Sequence, residues 1–144
     1  MSSAHATVNV FLAEDSRLIR DRIAALLSGR EMTVVGAAET ASESIAGILT
    51  KRPDVVVLDI ALAQGSGWDV LQAVRREAPD VAVVIFSNSA GPAYRKRYLG
   101  GGADSFLDKN SEFESLAEAV VSAARARAAL AHSSSPVSHQ QEAS

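Results

Sequence analysis

Apolar runs alternate with amphipathic runs five times along this chain. Residues 8–13, 33–37, 55–58, 81–86 and 105–107 are short stretches dominated by Val, Ile, Leu, Ala and Phe. They lack the strict in-out alternation of a half-exposed strand, which predicts strands covered on both faces, as in a parallel sheet. Between them the apolar positions recur at helical spacing. A first helix from Ser16 carries Ile19, Ile23, Leu26 and Leu27 on one face and stops near Gly29. A second opens at Thr40 with Glu43 three residues on, a capping box, and carries Ile45, Ile48 and Leu49. A Gly-rich loop, 64–67, leads into a third helix with Trp68, Leu71 and Val74. The fourth, 92–99, is short and basic and ends at Gly100, Gly101 and Gly102. The fifth opens at a second capping box, Ser111 and Glu114, and carries Phe113, Leu116, Ala117, Val120, Val121 and Ala124. Strict alternation of strand and helix predicts an α/β fold, a doubly wound parallel sheet with right-handed crossovers and helices on both faces.

Beyond Ala131 the sequence turns to Ser, Pro, His and Gln with little to bury. The expected organisation is a flexible N-terminus (1–7), one domain (8–130) and a disordered tail (131–144). At 144 residues, 47% hydrophobic and 22% charged, the chain has room for a real core and suits a soluble globular class. A formal net charge of -3 gives no broad footprint for nucleic acid. The absence of cysteine excludes disulfides, thiolate catalysis and cysteine-ligated metals. The N-terminus lacks a signal-peptide layout and no stretch is apolar enough to span a bilayer. A cytoplasmic protein without membrane insertion is expected.

The candidate chemistry lies at the strand ends. Asp59 closes an otherwise apolar strand, and Glu14 and Asp15 follow another. Partly burying a carboxylate is costly unless it is paired or bound to a metal. In a parallel sheet these strand ends share one edge, where open α/β sheets place their ligands. Glu14, Asp15 and Asp59 would supply hard oxygen ligands suited to Mg²⁺, with Mn²⁺ the alternative ion. Ser87 ends the fourth strand and Lys109 follows the fifth. A hydroxyl donor and an ammonium are what a phosphoryl oxygen needs beside a metal.

Four segments in this order, FLAEDS, DVVVLDIALAQGSGWDVL, VVIFSNS and GADSFLDK, resemble the receiver domain of two-component response regulators over residues 8–129. The resemblance implies a flavodoxin-like (βα)5 sheet of order 2-1-3-4-5. It implies that Asp59 takes a phosphoryl group from a phosphohistidine, on a sensor histidine kinase or a histidine phosphotransfer protein. Asp15, Asp59 and the backbone carbonyl of Ala61 would ligate Mg²⁺, and Glu14 would act mostly through water. Lys109 would neutralise the phosphoryl group and Ser87 would hydrogen-bond it. Phe106 occupies the family's aromatic switch position, with Ser87 as the other switch residue: the ring would move inward as the hydroxyl moves toward the phosphate. Asn88, Ala61 and Ser89 would tune access to Asp59, and Arg95, Lys96 and Arg97, with Phe106, would form a surface for a downstream protein.

The chain departs from the family pattern in places. Asn110 follows Lys109 where the family usually has a cis-bonded proline, and a cis bond without proline costs about 3 kcal/mol, so a trans or strained loop is expected. Asn88 stands where a small residue is usual, Ala63 replaces a common Pro, and Phe106 has no hydroxyl. None of these removes an essential group. Other readings weigh less. A haloacid dehalogenase-like phosphatase needs a second Asp two residues after its nucleophile, and Ala61 stands there. A phosphorylation-independent interaction module on the same fold leaves Asp59, Ser87 and Lys109 without a purpose. Arg95, Lys96 and Arg97 equally suit a solvated helix face. Gly100 to Gly102 suit a helix stop better than a phosphate cradle. His5, His132 and His139 fall in the expected flexible ends and are not expected to bind metal. The expected role is a single-domain, chemotaxis-regulator-like response regulator that switches a protein interaction or passes the phosphoryl group onward, with a receiver cut from a longer regulator as the alternative. It would be a monomer or weak homodimer. It would be no enzyme beyond catalysing its own phosphorylation and dephosphorylation.

Overall fold

A computed structural model of the chain describes residues 7–143, with side chains described as far as Ala131. Five strands, β1 (Val8–Ala13), β2 (Met32–Ala38), β3 (Val55–Leu58), β4 (Ala82–Ser87) and β5 (Ser105–Asp108), form one sheet in the order β2-β1-β3-β4-β5. Every neighbouring pair is parallel. The chain starts at β1, steps outward to β2, then crosses back to β3. The direction of winding therefore reverses between β1 and β3, and a crevice opens beyond their C-terminal ends.

The helices are α1 (Arg17–Leu27), α2 (Ala41–Lys51), α3 (Gly67–Glu77), α4 (Pro92–Gly100) and α5 (Leu116–Ala143). Two cores explain why the strands do not alternate in polarity. On one face Val10, Leu12, Val55, Val57, Val84 and Phe86 meet Ile23 and Leu27 of α1 and Leu116 and Val120 of α5. On the other, Phe11, Val56, Leu58, Val83 and Ile85 meet Ile48 of α2 and Val70, Leu71 and Val74 of α3. Both faces of each strand need apolar side chains because both are covered. α4 buries only Tyr98, consistent with its basic sequence.

Local chemistry sets most helix ends. Ser16 caps α1 by accepting the Ile19 N–H, and Thr40 caps α2 by accepting the Glu43 N–H. Ser66 and Asp69 form a reciprocal capping box at α3, which the sequence reading passed over as a Gly-rich loop. The cap expected at Ser111 is replaced by a 3-10 turn, Phe113–Ser115, and α5 begins at Leu116. The cause lies upstream. Glu112 folds back on the end of β5, its N–H donating to the Asp108 carbonyl (2.8 Å) and its carboxylate accepting the Asp108 N–H (2.9 Å).

The backbone of α5 runs on through most of 131–144, where a tail without regular structure is expected; the side chains from His132 onward lie outside the described residues, as does 1–6. Among the described residues the last buried side chain of α5 is Ala123, while Leu130 is largely exposed. His5, His132 and His139 thus fall outside the described side chains.

Candidate functional site

Strand register brings the acidic residues together. Ala13 pairs with Leu58 in the β1–β3 ladder, so Glu14 and Asp59 leave the sheet side by side. The Asp59 N–H donates to the Ala13 carbonyl (3.0 Å) and the Glu14 N–H to the Ala38 carbonyl (3.0 Å). Carboxylate oxygens of Glu14, Asp15 and Asp59 all lie within 4.8 Å of one another. Glu14 and Asp59 are buried and Asp15 is exposed.

Lys109 reaches the same place from β5. Ser87 pairs with Asp108, and the Lys109 N–H donates to the Ser87 carbonyl (3.0 Å). Its Nζ then donates to Glu14 Oε1 (2.5 Å) and Asp59 Oδ2 (2.8 Å). Burial pushes the Glu14 carboxyl above its ordinary range, although the Lys109 and Ser16 hydrogen bonds oppose the shift. Burial alone would lower the Lys109 ammonium, but the hydrogen bonds and charges of Asp59 and Glu14 outweigh it and hold the group above its usual value. Lys109 therefore stays charged between two acids.

The remaining donors line the same edge. Asp59 Oδ1 accepts a long hydrogen bond from the Ala61 N–H (3.3 Å). Ser87 is buried, and its hydroxyl accepts the Ser89 N–H (3.0 Å), so its own hydrogen can donate elsewhere. Ala61, Asn88 and Ser89 are exposed at the mouth. Three carboxylates are hard oxygen donors, a set that fits Mg²⁺ or Mn²⁺; among the described residues no nitrogen or sulfur ligand joins them. The Lys109–Asn110 peptide is trans. The Asn110 N–H, which proline would lack, donates to Asp108 Oδ1 (2.8 Å) and helps turn the chain after β5.

Gly67 closes the other side. A Cβ there would lie 2.4 Å from the Asp59 carbonyl oxygen and 2.9 Å from the Ile60 Cα, so only glycine lets α3 start against the backbone of Asp59. The next residue, Trp68, meets Tyr98 edge to face at 5.3 Å between centroids.

A scan of family models matches residues 10–121 to the response regulator receiver domain. The chain belongs to that family. Among curated relatives, the transcriptional regulatory protein YvfU of Bacillus subtilis is 33% identical over 114 residues, covering 78% of this chain and 57% of that protein. The DNA-binding transcriptional activator DevR/DosR of Mycobacterium tuberculosis is 30% identical over 124 residues, 85% of this chain and 57% of that protein. This receiver domain thus spans little more than half the length of these relatives. Among solved structures, the response regulator domain of Thermotoga maritima CheB superposes with a TM-score of 0.75 at 25% identity, over 83% of this chain and 97% of that one. The signal receiver domain of NarL from Mycobacterium tuberculosis gives 0.76 at 29% identity, over 83% and 98%.

Phe106 lies in β5 and the basic triplet in α4. Phe106 is buried, its ring 6.2 Å from that of Tyr98. Arg95 covers it, with the guanidinium carbon 5.1 Å from the ring centroid, one nitrogen donating to the Phe106 carbonyl (3.0 Å) and another to Glu112 (3.2 Å). Arg97 lies over Trp68 at 4.3 Å, and Lys96 is exposed. The basic triplet is therefore no single patch: two of its cations are seated on aromatic rings of this domain, and the Phe106 ring is covered in this conformation.

Sequence reading missed Arg20 of α1. Its Nη1 donates to the Glu14 carbonyl (2.9 Å) and to Glu39 (3.0 Å). An arginine one turn into an amphipathic helix gives no local signal of such a contact. Among the described residues, no helix is long and apolar enough to cross a membrane.

Proposed function

We propose that this receiver domain is a phosphoryl-accepting switch with Asp59 as the acceptor. The observation that carries the reading is Lys109 Nζ donating to both Asp59 and Glu14 at the sheet edge where Ser87 also ends. An oxygen of Asp59 attacks the phosphorus of a phosphohistidine on a sensor kinase or phosphotransfer protein. A P–O bond forms, the P–N bond breaks, and the electron pair returns to the imidazole nitrogen. The Lys109 ammonium, already charged and held 2.8 Å from Asp59, is placed to balance charge on the arriving phosphoryl oxygens. The Ser87 hydroxyl can turn its hydrogen toward one of them. Glu14, Asp15, Asp59 and the Ala61 carbonyl would hold Mg²⁺, which supplies further charge neutralisation when bound. Water later cleaves the acyl phosphate to carboxylate and inorganic phosphate, so the domain acts on no substrate but its own aspartate.

Output follows as a population shift biased by one new charged group. Ser87 and Phe106 lie on adjacent strands, and Arg95 joins Phe106 to α4. The shift reads out through the α4 face, whether its partner is a separate protein or a domain joined to this one. The DNA binding in the name of DevR/DosR belongs to that longer protein. We assign no nucleic-acid contact to this domain, since the net charge of the whole chain is -3.

The test is intact mass after incubation with Mg²⁺ and a phosphorylated histidine kinase, wild type beside Asp59→Asn. A gain of one phosphoryl group in the wild type alone is expected. Equal modification of both proteins, or of neither across several kinases and small phosphodonors, would overturn the assignment.

A further inference from the structure

Arg20 belongs to none of the groups that hold or receive the phosphoryl group, yet it touches the loop that carries two of the acids. Its side chain is 17% exposed, and Nη1 alone donates to both the Glu14 carbonyl (2.9 Å) and Glu39 Oε2 (3.0 Å). Backbone hydrogen bonds tie the same loops to one another and to the loop after Asp59. The Ala63 N–H donates to the Glu39 carbonyl (2.9 Å), the Ala41 N–H to the Gln64 carbonyl (2.8 Å), and the Glu14 N–H to the Ala38 carbonyl (3.0 Å). Three loops, following β1, β2 and β3, are thereby cross-linked at the edge where the acids converge, and Arg20 is a side-chain strut between the first two.

We propose that Arg20 is a positioning residue for the cation site, fixing the backbone of Glu14 so that Glu14 and Asp15 present their oxygens beside Asp59. The proposal deepens the phosphoacceptor reading and rests on it. Three like charges within a few ångströms repel, so without a fixed backbone the loop after β1 would relax outward. Outer contacts that orient ligands commonly govern metal affinity. An exposed ion pair by itself contributes little, and Glu39 is half exposed; the contact that matters here is the one to the Glu14 carbonyl.

The competing account treats Arg20 simply as a positive charge near a cation site, and the two accounts differ in sign. As a charge, its removal would tighten cation binding. As a strut, its removal would weaken it. The probe is Mn²⁺ alone, with the free ion counted by electron paramagnetic resonance, for wild type, Arg20→Ala and Arg20→Lys, each checked by far-ultraviolet circular dichroism. The expected result is affinity about tenfold weaker in Arg20→Ala, in the range typical for outer-contact changes, and only about two- to threefold weaker in Arg20→Lys, whose ammonium keeps the charge at shorter reach. At saturating Mg²⁺ the phosphorylation rate of Arg20→Ala should return close to wild type, placing the defect in ion binding. Arg20→Ala binding Mn²⁺ as tightly as wild type, or more tightly, would overturn the proposal. Should Arg20→Ala not fold, Arg20→Lys decides, and unchanged affinity there overturns it. Wild type without Mn²⁺ binding would sink the phosphoacceptor reading as well. Wild-type binding unaffected by Arg20 would sink this inference alone.

Discussion

Without the Lys109 ammonium, Glu14 and Asp59 would face each other in a site that water scarcely enters. Lys109→Met should therefore destabilise the metal-free protein by about 2–3 kcal/mol near neutral pH, measured by urea denaturation, because two buried acceptors lose their charged partner. The pH dependence has a definite sign. The folded protein holds Lys109 above its ordinary 10.5, so its stabilisation is complete below that value and declines as pH climbs through the higher folded one. The gap between wild type and Lys109→Met should narrow above about pH 10.5 and stay level from neutral pH up to that value; a gap that widens above it would show that the ammonium is not held as described. At this scale Asp59, Ser87 and Lys109 were legible because each falls at or just beyond the end of an apolar strand, where a polar group needs a reason. Arg20 was not. Its acceptors lie 6 and 19 positions away, and spacing along the chain says nothing about them.

At the scale of elements, α3 is tied to the site by a missing side chain. In Gly67→Ala the added Cβ would meet the Asp59 carbonyl oxygen and the Ile60 Cα, both backbone atoms unable to rotate away. Overpacking of this kind costs about 1–3 kcal/mol. The urea midpoint should fall accordingly, and Trp68, the next residue, should report a displaced helix in its fluorescence. An unchanged midpoint would mean that α3 does not bear on the backbone of Asp59. The strands and most helix starts were readable because they follow from local periodicity and caps: Ser16 and Thr40 do cap their helices. The start of α5 was not, because Glu112 satisfies the end of β5 and displaces the cap expected at Ser111. Nor was the clamp at the opposite end of the sheet, where Asp104 accepts from Arg75 (3.0 Å), Arg127 (2.8 Å) and the Val83 N–H (2.8 Å), joining α3, β4 and α5. Those partners come from three elements and meet only through the tertiary fold.

For the molecule as a whole, the strand order decides where chemistry can occur. Reversal of winding between β1 and β3 opens the crevice, and parallel strands deliver four groups, Glu14, Asp59, Ser87 and Lys109, to one edge from four different elements. The alternation of strands and helices made the α/β class legible; the order 2-1-3-4-5 came from family resemblance, because apolar runs do not say which strands are neighbours. The switch we propose uses this placement, whereas a module of similar shape has no need of a buried lysine between two acids. The central claim is that the bond forms on Asp59. The most direct measurement is to phosphorylate the protein with a histidine kinase and Mg²⁺, reduce it with borohydride, and map the peptides by mass. Reduction of an acyl phosphate turns an aspartate into homoserine, and the account predicts that change at position 59 alone. Homoserine elsewhere, or a phosphoryl group that resists reduction on a serine or histidine, would contradict it.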